Sequence, residues 1–260
     1  MTMNWLCGCG EQFRECQFWS RVMTRWREGK SASELELSRR LMLDEMTSVR
    51  AAAAVCRGRP EYLREVRELI ERLFEASNAQ VVIDSSKSFR QACILLATET
   101  VEMYVVHLVR DPRAVVHSLM HRPKKRLDAP EGSAMLSLDP QSSVGLWIQS
   151  NRQAEQLGRL PRCRYLFVRY EEFVNSPSAT LSQIGHFVCQ GGTEAVDVNS
   201  AEIPLSHTIS GNPDRLRKGA HIRRPDGLDG IDPSLISMVE EQTAGMLQEY
   251  GYSDIRNSAS

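Results

Sequence analysis

The strongest constraint in this chain is a set of short, unbroken apolar runs rich in β-branched residues, placed between longer stretches of helical periodicity. The runs are QVVID at 80–84, MYVVHLV at 103–109 and RYLFV at 164–168. Each is short for a helix and lacks the strict alternation of a half-solvated strand. Such runs fit strands buried on both faces of a parallel sheet. Residues 89–98 carry Ala92, Leu95, Leu96 and Ala97, and residues 112–120 follow the second run, both in a helical pattern. The order strand, helix, strand, helix predicts an α/β fold: three layers, a mostly parallel sheet flanked by helices.

Helical patterns also cover both ends. Residues 34–55 place Leu35, Leu41, Met46, Val49 and Ala52 near helical spacing, and Pro60 breaks the pattern at Arg59. Residues 61–76 align Leu63, Val66, Ile70 and Leu73 on one face. Further helices are predicted over 143–157, 180–188 and 234–250, with a Gly-, Pro- and Asn-rich loop over 191–230. The expected organisation is one domain over 1–260: a helical part at 1–79, an α/β core at 80–190, a closing loop at 191–232 and a last helix at 233–250.

Composition narrows the class. At 42% hydrophobic and 260 residues, the chain can bury a full core, which excludes a wholly disordered protein. A net charge of −1 argues against a general nucleic-acid binder while leaving room for a local basic pocket. No apolar run approaches the roughly 20 residues of a membrane span. The first residues have neither the basic nor the apolar region of a signal peptide. Seven cysteines, an odd number, suit reduced thiols and a cytoplasmic setting.

Ligands of open parallel sheets bind where strands end and helices begin. Two such junctions stand out, IDSSK at 83–87 and VRDPR at 109–113. In the second, Asp111 is a natural N-cap and Pro112 suits the first helical position. Arg110 then ends the strand, where its planar fork can grip an oxyanion, and Ser118 lies about two helical turns further on. The competing reading pairs Arg110 with Asp111 or a neighbour and leaves Ser118 to pack.

VVHLVRDPRAVVHSL at 105–119 resembles the 3′-phosphate-binding segment of sulfotransferases that use 3′-phosphoadenosine 5′-phosphosulfate. In that family an Arg ends the strand and a Ser eight residues later holds the same phosphate, the spacing of Arg110 and Ser118. VVIDSSK, WIQSN at 147–151, VRYEEF at 168–173 and HTISGNPDRLRKG at 207–219 follow in the family's order, and CGCGEQFRECQFW at 7–19 is similar to a segment of bacterial and Golgi-type members. The resemblance implies a P-loop-NTPase-like sulfotransferase fold and sulfuryl transfer from that donor to a hydroxyl or amine. It implies no metal. It places Arg110, Ser118, Arg217, Lys218 and Gly219 on the nucleotide and makes Lys87 the charge-stabilising group. The general base is either Asp84 or His207. His107, inside an apolar strand, reads as a satisfied core histidine. Expected partners are the nucleotide and a small-molecule or glycan acceptor, with no nucleic acid.

One departure matters. The family's Gly/Ser/Thr-rich loop for the 5′-phosphosulfate, which binds anions through backbone N–H groups, has no counterpart near the start, where neither G-x-x-x-x-G-K-[ST] nor a looser form occurs. The expectation is a chain without that first strand and loop. The alternative function is accordingly an impaired sulfotransferase that binds a 3′-phosphorylated nucleotide or acts as an interaction domain. Cys7, Cys9 and Cys16 are a weak match to a zinc site, which needs four ligands. Packing thiols or a disulfide are the readings their spacing favours.

Overall fold

The computed structural model describes residues 6–47, 60–121, 137–189, 206–209 and 228–253. They form two units, one of residues up to 103 together with 206–209, the other of the remaining residues from 104 onward.

In the first unit, α1 (Gln17–Arg27) buries Val22 and Trp26. Helix α2 (Ala32–Thr47) starts on a capping box: the Ser31 hydroxyl accepts the Glu34 N–H at 3.3 Å, and Glu34 Oε2 accepts the Ser31 N–H at 2.7 Å. Helices α1, α2 and α4 (Phe89–Ala97) all pack on α3 (Pro60–Ser77). The apolar face predicted for 61–76 meets them there. Tyr62, Val66 and Ile94 form the centre, with Leu41, Leu63, Ile70 and Leu95 around it. Glu65 is buried in this unit, and Lys30 Nζ lies 2.6 Å from it and 2.7 Å from Glu68. The charge of Glu65 is thereby matched.

The strand predicted over 80–84 does not form. Residues 81–88 carry no secondary structure and are exposed, Ile83 to 88%. β-Branched residues favour a strand only when a sheet receives them. Here the backbone N–H groups turn to local side chains instead. The Ser86 N–H donates to Asp84 Oδ1 at 2.7 Å, and the Ser88 side chain caps α4 by accepting the Gln91 N–H.

The second unit carries the sheet. Strands β1 (Met103–Val109) and β2 (Cys163–Arg169) lie side by side in parallel, joined through α5 (Pro112–Met120) and α6 (Pro140–Gly158). After β2 come α7 (Tyr170–Asn175), α8 (Pro177–Cys189) and α9 (Pro233–Glu249). This is the predicted α/β fold of a parallel sheet flanked by helices, with two strands among the described residues where three were expected. Helices α5, α6 and α9 each begin at an Asp-Pro pair. Asp111, Asp139 and Asp232 cap through their carboxylates, and the following prolines occupy the first turn. Burial of β1 on both faces is not observed. His107 and Val109 point into the core, while Val106 and Leu108 are exposed. Val109, Trp147, Met246, Leu247, Tyr250 and Tyr252 make one core cluster; Val116, Val144, Ile231, Leu235 and Val239 make a second. Among the described residues no helix is long and apolar enough to cross a membrane.

His107 is a satisfied core histidine. Asn151 Nδ2 donates to the Trp147 carbonyl at 2.7 Å, so Asn151 Oδ1, 2.7 Å from His107 Nε2, is an acceptor. Nε2 therefore carries the proton and Nδ1 accepts from the Tyr165 hydroxyl. Burial lowers the pKa of this imidazole from its ordinary 6.5. The unfolded chain then binds a proton that the folded chain refuses. This costs nothing above pH ~6.5 and erodes stability as the pH falls from there towards the lowered folded value. Urea midpoints should fall between about pH 7 and pH 5.5 more steeply in the wild-type chain than in His107→Gln. Parallel profiles would show that His107 is not the group responsible.

Candidate active site

The junction after β1 is built by its own sequence and then locked from three sides. Val109 is buried, Arg110 leaves the strand and Asp111 caps α5 by accepting the Arg113 N–H at 2.9 Å. The Arg113 side chain folds back onto that carboxylate. Its Nε lies 2.9 Å from Asp111 Oδ1 and its Nη2 2.7 Å from Oδ2, with exposures of 1% and 6%. Arg113 Nη1 also pairs with Glu240 at 2.8 Å, and Nη2 reaches the Tyr252 carbonyl at 3.2 Å. The Asp111 N–H donates to Glu171 Oε1 at 3.2 Å, and the Tyr252 hydroxyl donates to Glu171 Oε2 at 2.6 Å. Burial and this carboxylate raise the Tyr252 pKa, which keeps the phenol a donor.

Both oxygens of Asp111 are thus taken by Arg113, and the expected competitor for Arg110 is removed. Arg110 Nε is buried and has no hydrogen-bond partner among the described residues. Its guanidinium carbon lies 5.1 Å from the centre of the Tyr170 ring, and its carbonyl accepts the Trp147 indole N–H at 3.0 Å. Arg110 thus combines a held backbone carbonyl, a guanidinium over an aromatic ring and one buried donor without a partner among the described residues, a combination open to an anion. Ser118, half-buried, lies on the α5 that this cap starts. Two clefts of the same unit lie elsewhere, one along Arg113, Glu240 and Tyr252, the other along His117, His121, Asp139 and Asp232. Arg110 lines neither.

The other candidates belong to the first unit or fall outside the described residues. Asp84 closes the turn at Ser86, and Lys87 holds a left-handed backbone at φ 59°, unusual for a side-chain-bearing residue and typical of functional loops. His207 is placed among thiols. Its Nδ1 is 3.6 Å from Cys7 Sγ and 3.4 Å from Cys16 Sγ, and its ring stacks on Phe18 with centroids 4.5 Å apart. Burial lowers its pKa. Arg217, Lys218 and Gly219 lie outside the described residues.

Sequence reasoning left four contributors without a role. Tyr170 and Glu171 were visible only as part of VRYEEF, although a strand end is where such groups gather. Arg169 ends β2 as Arg110 ends β1, and it too stacks on a tyrosine, 4.6 Å from the centre of the Tyr252 ring. No local signal marked Tyr252 itself, which reaches the junction from the far end of the chain.

A family model described as the sulfotransferase family matches residues 13–189. That span includes the Asp84–Lys87 turn, the β1–α5 junction, α6 and β2. No curated protein and no solved structure matches the chain. With well over half of its length matched, and with the arginine, the capped helix and the serine of the resembling segment in place, the chain belongs to the sulfotransferase family.

Proposed function

We propose that this chain transfers a sulfuryl group from 3′-phosphoadenosine 5′-phosphosulfate to a hydroxyl or amine of a small-molecule or glycan acceptor, acting in the cytoplasm as one domain over residues 1–260. The observation that carries the reading is Arg110, whose buried Nε lacks a partner among the described residues, beside a carboxylate already occupied by Arg113. An incoming oxyanion stabilises such a guanidinium, and the nucleotide's 3′-phosphate is the oxyanion that the resemblance puts at this strand end. Ser118 adds a hydroxyl to the same phosphate, and the resemblance assigns Arg217, Lys218 and Gly219 to the nucleotide as well. The acceptor oxygen or nitrogen attacks sulfur in line, the bond from sulfur to the 5′-phosphate oxygen breaks, and adenosine 3′,5′-bisphosphate leaves. Lys87 offsets the charge growing on the departing phosphate. The acceptor proton passes to Asp84, since the other candidate base, His207, has its Nδ1 turned to two thiols.

The test is incubation of the chain with donor labelled in the sulfuryl group and a panel of hydroxyl and amine acceptors. Label should pass to an acceptor with release of adenosine 3′,5′-bisphosphate. Tight binding of that bisphosphate with no transfer to any acceptor would put the impaired, nucleotide-binding reading in its place. Failure to bind it at all would overturn the assignment of Arg110.

A further inference from the structure

Four side chains outside the proposed transfer chemistry converge in the first unit: Cys7, Cys9, Cys16 and His207. Their ligand atoms all lie within 4.8 Å of one another. Cys9 and Cys16 Sγ are 3.7 Å apart, and His207 Nδ1 is 3.6 Å from Cys7 Sγ and 3.4 Å from Cys16 Sγ. A tetrahedral zinc with Zn–S of about 2.3 Å and Zn–N of about 2.0–2.1 Å has edges of about 3.8 Å between sulfurs and about 3.5 Å between sulfur and nitrogen. The three separations above match those edges, and the other three lie within 4.8 Å. They are far from the ~2.05 Å of a disulfide, which would in any case engage two of the thiols and leave the third and the imidazole unexplained.

The local backbone is shaped to deliver these four atoms. The C-G-C-G turn folds on itself: the Cys7 N–H donates to the Glu11 carbonyl at 2.8 Å, the Gly10 N–H to the Cys7 carbonyl at 2.9 Å, and Leu6 bridges Gln12. Gly10 holds φ 96°, open to glycine alone without strain. Cys16 occupies the N-cap position of α1, yet its side chain caps nothing and faces the cluster. His207 arrives from 191 residues away and is clamped. The Gly8 N–H donates to the Thr208 carbonyl at 2.8 Å, and a Cβ at Gly8 would stand 2.4 Å from the Ser206 carbonyl oxygen. The Trp19 indole N–H holds the His207 carbonyl at 2.7 Å, and Phe18 stacks on the ring. Cys7 and Cys16 are fully buried.

We propose that Cys7, Cys9, Cys16 and His207 form a structural zinc site of the Cys₃His type, tying residues 206–209 to the turn before α1. Four protein ligands complete the tetrahedron, so no position is left for water or substrate, and the metal's role is folding and not chemistry. The site does not depend on the transferase reading, since Cys7, Cys9 and His207 lie outside the matched span of the family.

The purified full-length chain should carry one zinc per molecule by elemental analysis. Exchange for cobalt(II) should give thiolate charge-transfer absorption with the intense visible bands of a tetrahedral site. Cys9→Ser and His207→Ala should each lose stoichiometric zinc and weaken the cobalt spectrum, and Cys189→Ser should change neither. If these variants fail to fold, the wild-type measurements alone decide the matter. Wild-type chain free of metal and unable to take up cobalt would overturn the site, as would zinc retained in a folded Cys9→Ser/His207→Ala double variant.

Discussion

Arg110→Ala should weaken binding of adenosine 3′,5′-bisphosphate by about 10- to 150-fold, the equivalent of one charge-assisted contact at about 1.5–3 kcal/mol. Binding of adenosine 5′-phosphate, which lacks the 3′ group, should be unchanged. The contrast follows from where the guanidinium sits. Arg113 occupies both oxygens of Asp111, and the Arg110 Nε is buried with no partner among the described residues. Removing Arg110 thus breaks no internal ion pair of the described structure. On the proposed reading it deletes the cation that meets the nucleotide's 3′-phosphate. Arg110→Lys should recover only part of the affinity, because an ammonium offers a point charge where the fork offers two parallel bonds. Calorimetric titration with the two nucleotides measures both arms. Equal affinity of wild type and Arg110→Ala for the bisphosphate would refute the assignment.

The largest effect on stability is expected at Arg113. Arg113→Ala should cost about 3–5 kcal/mol, because it strips a buried carboxylate of its counter-charge. Arg113 and Asp111 are 1% and 6% exposed, and the same guanidinium also holds Glu240 on α9 and the carbonyl of Tyr252. One residue therefore joins the start of α5 to both α9 and the end of the chain. Removing both charges should hurt less than removing one. In Asp111→Asn with Arg113→Met, the asparagine still caps α5 and no bare charge stays buried. Urea unfolding followed by far-UV circular dichroism should rank the double variant above Arg113→Ala. The reverse order would show that the hydrogen-bond geometry of the pair, and not its charge balance, stabilises the junction.

Much of this was legible along the chain. MYVVHLV is β1 at its predicted bounds, and Pro112–Met120 is α5 as read from the Asp-Pro cap and the apolar periodicity. The helices predicted over 61–76, 143–157, 180–188 and 234–250 are all present, with ends shifted by one to three residues. QVVID was misjudged for a definite reason. A helix satisfies its own backbone, whereas a strand needs a neighbour that its own five residues do not specify. The Cys/His cluster was not read from the sequence: C-x-C and Cys16 are visible there, but their spacing favoured packing thiols or a disulfide, and His207 joins them from 191 residues beyond Cys16.

The sequence by itself determined that the chain is α/β, that one strand ends in Arg110, and that an Asp-Pro cap launches the helix bearing Ser118. Each rests on interactions within a few residues, where periodicity, capping and proline geometry decide the outcome. Only the tertiary structure decided which arginine Asp111 holds, and hence that Arg110 is not its partner. It alone placed His207 against three thiols. Ion pairs and metal-ligand sets are chosen by distance in space, and Glu171, Glu240, Tyr252 and His207 reach their partners from far along the chain.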